Sequence, residues 1–217
     1  MPLKRRKQSE RGSFLMEFAF VAPAMILMSA GAFEVGFSLV RATQAFTVCR
    51  NANVLMARSI DLSVPQNQQL LMRSTPGLAM TQTGTWNPDP NGKGVVILTK
   101  VYLVGDLECA QGIANWDGTR GSCPNWGQYV IASRITIGNA TRWTSLMGNP
   151  RDTPGSNGNL SDAQICTNPA NIATGFPGFL TLNADKYTYV SEIFVDISAY
   201  NFFSLVRTPI IYKRNLS

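Results

Sequence analysis

Lys4, Arg5, Arg6, Lys7 and Arg11 precede Gly12, and beyond it Ser13-Phe14-Leu15-Met16-Glu17-Phe18 opens an apolar run that continues with little polarity to Val40. No other segment restricts the fold so strongly, because a run of this length is either spent on a bilayer or buried on all sides. The uncharged part, Phe18 to Phe33, spans about 24 Å as a helix, a little short of a ~30 Å hydrocarbon core. Glu17 and Glu34 reaching to the two interfaces, with Val35 to Val40 on the far side, complete a crossing over residues 14–40. A carboxylate costs about 2.5–3.5 kcal/mol at the bilayer centre and less towards its edge, so Glu17 needs a physical reason to be there. Pro23 should kink or locally open the helix. The helical pattern then runs on through Phe33, Phe37, Val40, Phe46, Val48, Val54 and Leu55 to about Ile60, which sets a helix over 13–61. Ala32 and Gly36 form a small-x-x-x-small pair that permits close helix approach.

Charge assigns an orientation. The formal net charge is +6, and residues 1–12 hold five bases against the single acid Glu10, so the chain beyond Gly12 keeps a charge near +2. The basic excess is therefore a topology signal and not a nucleic-acid surface. Bases gather on the cytoplasmic side of a span, which places the N-terminus inside and the bulk of the chain outside the cytoplasm. Cys109 and Cys123 flank a Gly/Asn/Asp-rich loop, which suits a disulfide in an oxidising compartment. Closing it would contribute roughly 3 kcal/mol. A zinc site is the weaker reading, since the chain has no histidine and no C-x-x-C pair. Cys49, on the helix, is either a small buried hydrophobe or a partner for Cys166 that ties helix to domain.

The order of basic leader, Gly12, Glu17 and apolar run resembles the class III signal of type IV prepilins. The resemblance implies peptidase cleavage between Gly12 and Ser13, leaving an amine on Ser13 that Glu17 of a neighbouring subunit neutralises in an apolar filament core. Glu17-Phe18-Ala19, Pro23, Phe33-Glu34-Val35-Gly36 and Cys49-Arg50-Asn51-Ala52 narrow the likeness to the TadE-like proteins of tight adherence (Tad) pilus systems. About 50 residues carry it, with departures at Ala24-Met25 and Ser29-Ala30-Gly31. It implies a minor pilin or pseudopilin of the bacterial inner membrane, without cofactor, incorporated in some settings in the pilus outside the cell. Its implied partners are a prepilin peptidase, the inner-membrane pilus platform, a major pilin and other minor pilins, besides the lipid bilayer.

After the helix the composition turns to Pro, Gly, Asn and Thr. Residues 62–93 read as a loop-rich linker with a short helical piece at 66–73, and 94–217 as a β-rich domain. Strands are expected at 94–104, 128–137 and 187–199, the first two as an antiparallel pair across the cysteine loop, with the third adding to it. Residues 138–185 form an Asn/Gly/Pro-rich insert, either an exposed binding or packing surface or disordered decoration, and 200–211 a final edge element. The expected class is α+β, a long helix packed on a small antiparallel sheet.

Catalysis has few means here. Without histidine, Ser-His-Asp, Cys-His and most zinc mechanisms are excluded. Asp89-Pro90-Asn91-Gly92-Lys93-Gly94 offers oxygen ligands but not EF-hand spacing, and reads as a turn; no phosphate loop follows Gly92-x-Gly94. No metal and no enzyme activity are expected. Two other readings differ in class: a secreted carbohydrate-binding or adhesive module, cut by signal peptidase near Met28-Ser29-Ala30-Gly31 and using Trp86, Trp116, Trp126 or Trp143, and a single-span anchor that never polymerises.

Overall fold

The computed structural model describes residues 7–176, 182–183, 186–198 and 210–216, with side chains from residue 15 onward. Helix α1 runs from Lys7 to Ala57, 51 residues or roughly 77 Å. It continues through Pro23 as helix, because one lost backbone bond is not enough to unwind a long apolar segment. Its N-terminal half is bare: Phe20 is 78% and Met28 77% exposed. From Ala45 the helix changes character, and Ala45, Val48, Cys49 and Ala52 lose all contact with solvent.

They pack on a four-stranded antiparallel sheet of β1 (Gly94–Leu103), β2 (Tyr129–Gly138), β3 (Tyr187–Asp196) and β4 (Ile210–Leu216), in the order β2-β1-β3-β4. The fold is thus α+β. β1 and β2 pair across the cysteine loop, and β3 joins on the other side of β1, so that β1 and β3 are central. Register puts Val96 opposite both Ile137 and Ile193, and Val195 opposite Ile211. These residues, with Leu98, make the face that receives α1. Ser191 on the same face donates its hydroxyl to the Cys49 carbonyl at 2.8 Å, which uses a backbone acceptor of the helix as an anchor. Farther along that face Lys100 Nζ lies 4.2 Å from the centre of the Tyr187 ring, beyond the end of α1, where a cation–π contact takes the place of apolar packing.

Residues 62–93 connect helix and sheet and also contribute to the core. Helix α2 (Pro65–Met72) matches the expected helical piece, and Leu71, Met72, Leu78 and Met80 are buried beside α1. Pro65 starts α2 with a residue that lacks the N–H an N-terminus leaves unpaired anyway. The Asp89 stretch is a turn, with the Asn91 N–H donating to the Asp89 carboxylate at 2.9 Å.

The insert is part of the packed domain. Of the two expectations, decoration does not hold for its described part, which packs over the second face of the sheet. Met147 and Ala173 pack on Val101, Ile131 and Val190, while Trp143 packs on Val95, Ile97 and Phe194. Helix α4 (Asp162–Thr167) is capped by Ser161 through the Gln164 N–H and lies against α3 (Asp106–Gly112). The sheet therefore has cover on both faces, which is why its central strands carry apolar residues on both parities. The expected edge element at 200–211 falls mostly outside the described residues, and the observed edge strand starts at Ile210.

Truncating the helix-facing centre of the sheet tests this packing. Ile193→Ala should cost about 2–5 kcal/mol in denaturant unfolding of the detergent-solubilised chain, whereas Phe20→Ala should leave the transition where it is.

Candidate functional site

The feature most suited to function is the bare half of α1. Helix α1 is long and apolar enough over Leu15–Ala57 to cross a membrane, and it is the one such helix among the described residues. Leu15, Met16, Phe18, Phe20, Met25, Ile26, Leu27 and Met28 point into the surroundings all round the helix. Such a cylinder belongs in lipid or among other apolar helices. Glu17 lies on its exposed surface near the start. Gly12 and Ser13 fall on the same helix backbone, one turn before Glu17. Ala32 and Gly36 share an open shallow groove with Ser29, Phe33, Phe37 and Val40. A methyl group built on Gly36 would meet nothing within 4 Å, so the gap is unfilled by the chain's described residues.

Glu34 departs from expectation. Instead of reaching to an interface it is only 3% exposed, while Phe33 and Val35 beside it are exposed. Four, seven, eleven and fourteen residues on are Ser38, Arg41, Ala45 and Val48, so Glu34 begins the stripe that becomes the buried face. Arg41 on this stripe reaches the turn after α2: Nη1 donates to the Gln44 side chain at 2.9 Å and to the Pro76 carbonyl at 3.3 Å. Gly77, at φ +80°, leaves room for that guanidinium, since a β-carbon would overlap it. The bare half of the helix thus ends in a polar collar at its junction with the sheet.

The cysteines sort into two places. Cys109 and Cys123 form the expected disulfide, Cα to Cα 5.9 Å. Cys49 and Cys166 are both free and buried, and no bond ties them. Cys49 sits between α1 and the sheet with its thiol towards the Lys213 carbonyl at 3.5 Å, whereas Cys166 lies with the disulfide in the cluster between α3 and α4. The helix is held to the domain by packing and not by a second cross-link.

Three of the four tryptophans anchor loops. Trp126 donates to Asp106 at 2.8 Å under the Arg120 guanidinium, Trp116 donates to the Thr119 carbonyl, and Trp143 stacks towards Phe194. Trp116 and Trp126 pack against the apolar cluster that holds the disulfide, and Trp143 against Val95, Ile97 and Phe194.

Sequence reasoning missed a buried polar network on the outer face of the sheet. Glu192 is fully buried and accepts hydrogen bonds from the Ser145 hydroxyl, the Leu146 N–H at 3.3 Å, the Tyr212 hydroxyl at 2.8 Å and Arg214 Nη2 at 3.3 Å. Arg214 also donates to the Tyr212 oxygen and the Gly175 carbonyl. Burial and the Glu192 charge push the Tyr212 hydroxyl well above its usual range. Burial draws Arg134 down to about 10 against the opposing pull of Glu192, and its Nη2 donates to the Gly148 carbonyl at 2.9 Å. The signal was available: Glu192 is a lone acid in the apolar strand Tyr189-Val190-Ser191-Glu192-Ile193-Phe194-Val195. Centred on the buried Glu192 carboxylate, the network locks residues 145–148 and 175 onto β2, β3 and β4.

Compared with protein-family models, with curated proteins and with solved structures, the chain matches none.

Glu192→Ala would leave Arg214 without its carboxylate and three donors unpaired, so it should cost about 3–5 kcal/mol in denaturant unfolding. A second test concerns acid. Burial pushes Asp196 up, but the Ser198 N–H and hydroxyl and the Arg142 guanidinium outweigh it and hold the carboxyl below its usual range. That stabilisation is present above the unfolded pKa of about 3.9 and is lost as pH falls towards the lower folded value. Thermal unfolding of Asp196→Asn should accordingly show a weaker loss of midpoint on the acid limb than the parent chain.

Proposed function

We propose that the chain is a minor pilin or pseudopilin of a Tad-type system, held in the bacterial inner membrane by α1 and taking part in pilus assembly through that helix. The observation that carries this reading is the division of α1: one half is committed to the sheet, and the other presents apolar side chains all round, with Glu17 near its start. A plain membrane anchor needs no acid at that place. A subunit whose helix packs among equivalent helices gains from one, because the carboxylate can meet the amine that cleavage after Gly12 exposes on Ser13 of a neighbour. The open groove at Ala32 and Gly36 gives a neighbouring helix a close seat.

In this reading the basic residues before Gly12 stay in the cytoplasm, the sheet lies in the periplasm, and the disulfide suits that compartment. A prepilin peptidase removes the leader, the inner-membrane platform receives the subunit, and a major pilin and other minor pilins are its neighbours. Continuity of α1 through Ser29-Ala30-Gly31 favours a mature chain that keeps its helix over one released by signal peptidase there.

Intact-mass and N-terminal analysis of the protein from its native membrane should find a chain that begins at Ser13. A start near Ala32 would make it a secreted module, and an uncut leader would make it an anchor. Glu17→Gln should still insert in the membrane but abolish pili in a piliation assay; normal pili from that variant would refute the charge-pairing role.

A further inference from the structure

We propose that Cys166 and the Cys109–Cys123 disulfide form a thiol–disulfide exchange site, in which Cys166 replaces either partner and moves the covalent closure from the 109–123 loop to α4. The proposal is independent of pilus assembly. Its basis is a cluster of three buried sulfurs, Cys109, Cys123 and Cys166, all within 4.8 Å of one another. A disulfide needs about 2 Å between sulfurs, so a rotation of the Cys166 side chain with a small shift of α4 brings either one into bonding range.

The cluster is built and not incidental. α3 and α4 approach so closely that a β-carbon on Gly112 would lie 2.5 Å from the Asp162 carbonyl oxygen and 2.6 Å from Cys166 Sγ. Cys166 donates its thiol proton to the Glu108 carbonyl at 2.9 Å, the residue before Cys109. On the other side the Asn125 amide donates to the carbonyls of Ile165 and Asn168 at 2.7 and 2.9 Å, and the Asn125 N–H to that of Cys166 at 3.1 Å. The chain on both sides of the disulfide is therefore fastened to the helix that carries the third sulfur. Cys49 is also free and buried, but it belongs to the helix–sheet core and has no place in this cluster.

The step is an isomerisation. Cys166 loses its proton, its thiolate attacks one sulfur of the disulfide, a new S–S bond forms as the Cys109–Cys123 bond breaks, and the displaced thiolate takes up a proton. Electrons balance within the three sulfurs, so no outside oxidant or reductant is consumed. Burial, with the Glu108 and Asp162 carboxylates, pushes the Cys166 thiol up to about 11. Tyr102 and Tyr187 are the other titratable groups lining the cleft beside it. The thiol is thus held protonated near neutral pH, and exchange should quicken about tenfold for each unit that the pH rises while it stays below the thiol's pKa.

Wild-type protein, full length in detergent, is incubated near pH 7 and at about pH 9.5, quenched with acid and mapped by mass spectrometry of non-reduced peptides. The expected result is a Cys109–Cys166 or Cys123–Cys166 linkage that appears faster at the higher pH, with Cys49 free throughout. Cys109–Cys123 as the sole linkage at both pH values overturns the proposal, and so do linkages that include Cys49, which would mean general scrambling. C109S and C123S supply a second readout: oxidised in air, they should yield Cys123–Cys166 and Cys109–Cys166 respectively. A free Cys166 thiol in both folded variants overturns the proposal as well.

Discussion

Everything beyond α1 depends on how its second half meets the sheet. Ala45, Val48, Cys49 and Ala52 are small, so the helix backbone comes close to β3 and β4, near enough for Ser191 to bond the Cys49 carbonyl. With that half immobilised, the first half becomes a stiff arm whose direction is set by the sheet. A helix bearing this many exposed apolar groups would collapse onto its own domain if the domain offered a matching surface. Among the described residues it does not, because one face of the sheet is filled by the second half of the helix with α2 and the residues after it, and the other by the insert.

The junction shows how the two regimes are kept apart. Glu34 is sheltered on the stripe that leads into the core, and Arg41 is bound to the turn at Pro76 and Gly77. Arg41 opposes sliding of the helix along the sheet, since a shift of one turn would break its bond to the Pro76 carbonyl. The Glu192 network plays a similar part on the opposite face. An apolar residue in its place would bury as well, but it would not select one placement of Ser145, Tyr212 and Arg214. Specificity of register is the best-attested use of such buried charges.

Disulfide chemistry adds a covalent layer at the far end of the sheet. The Cys109–Cys123 bond closes a loop within the connection between the paired strands β1 and β2, so its contribution is local, about 3 kcal/mol for a loop of this length. The third sulfur lies beside it because α4, an element of the insert, docks on α3. An exposed insert would have left Cys166 in solvent.

Periodicity and composition determined a good deal by themselves: the helix, its apolar first half, the strands β1, β2 and β3, the short helix α2 and the loop disulfide. Each is written in residues near one another in the chain, where steric preference and solvent partition act directly. Tertiary structure alone decided that β3 lies beside β1, that Glu34 is sheltered, that the insert covers the outer face, and that Cys166 and not Cys49 sits by the disulfide. Those outcomes rest on contacts between segments tens of residues apart. An Asn/Gly/Pro-rich stretch reads the same in sequence whether it floats or packs, since burial depends on the apolar surface it happens to meet. Met147, Ile165 and Ala173 are too sparsely spaced to announce that surface, and only the sheet beneath them gives them a partner.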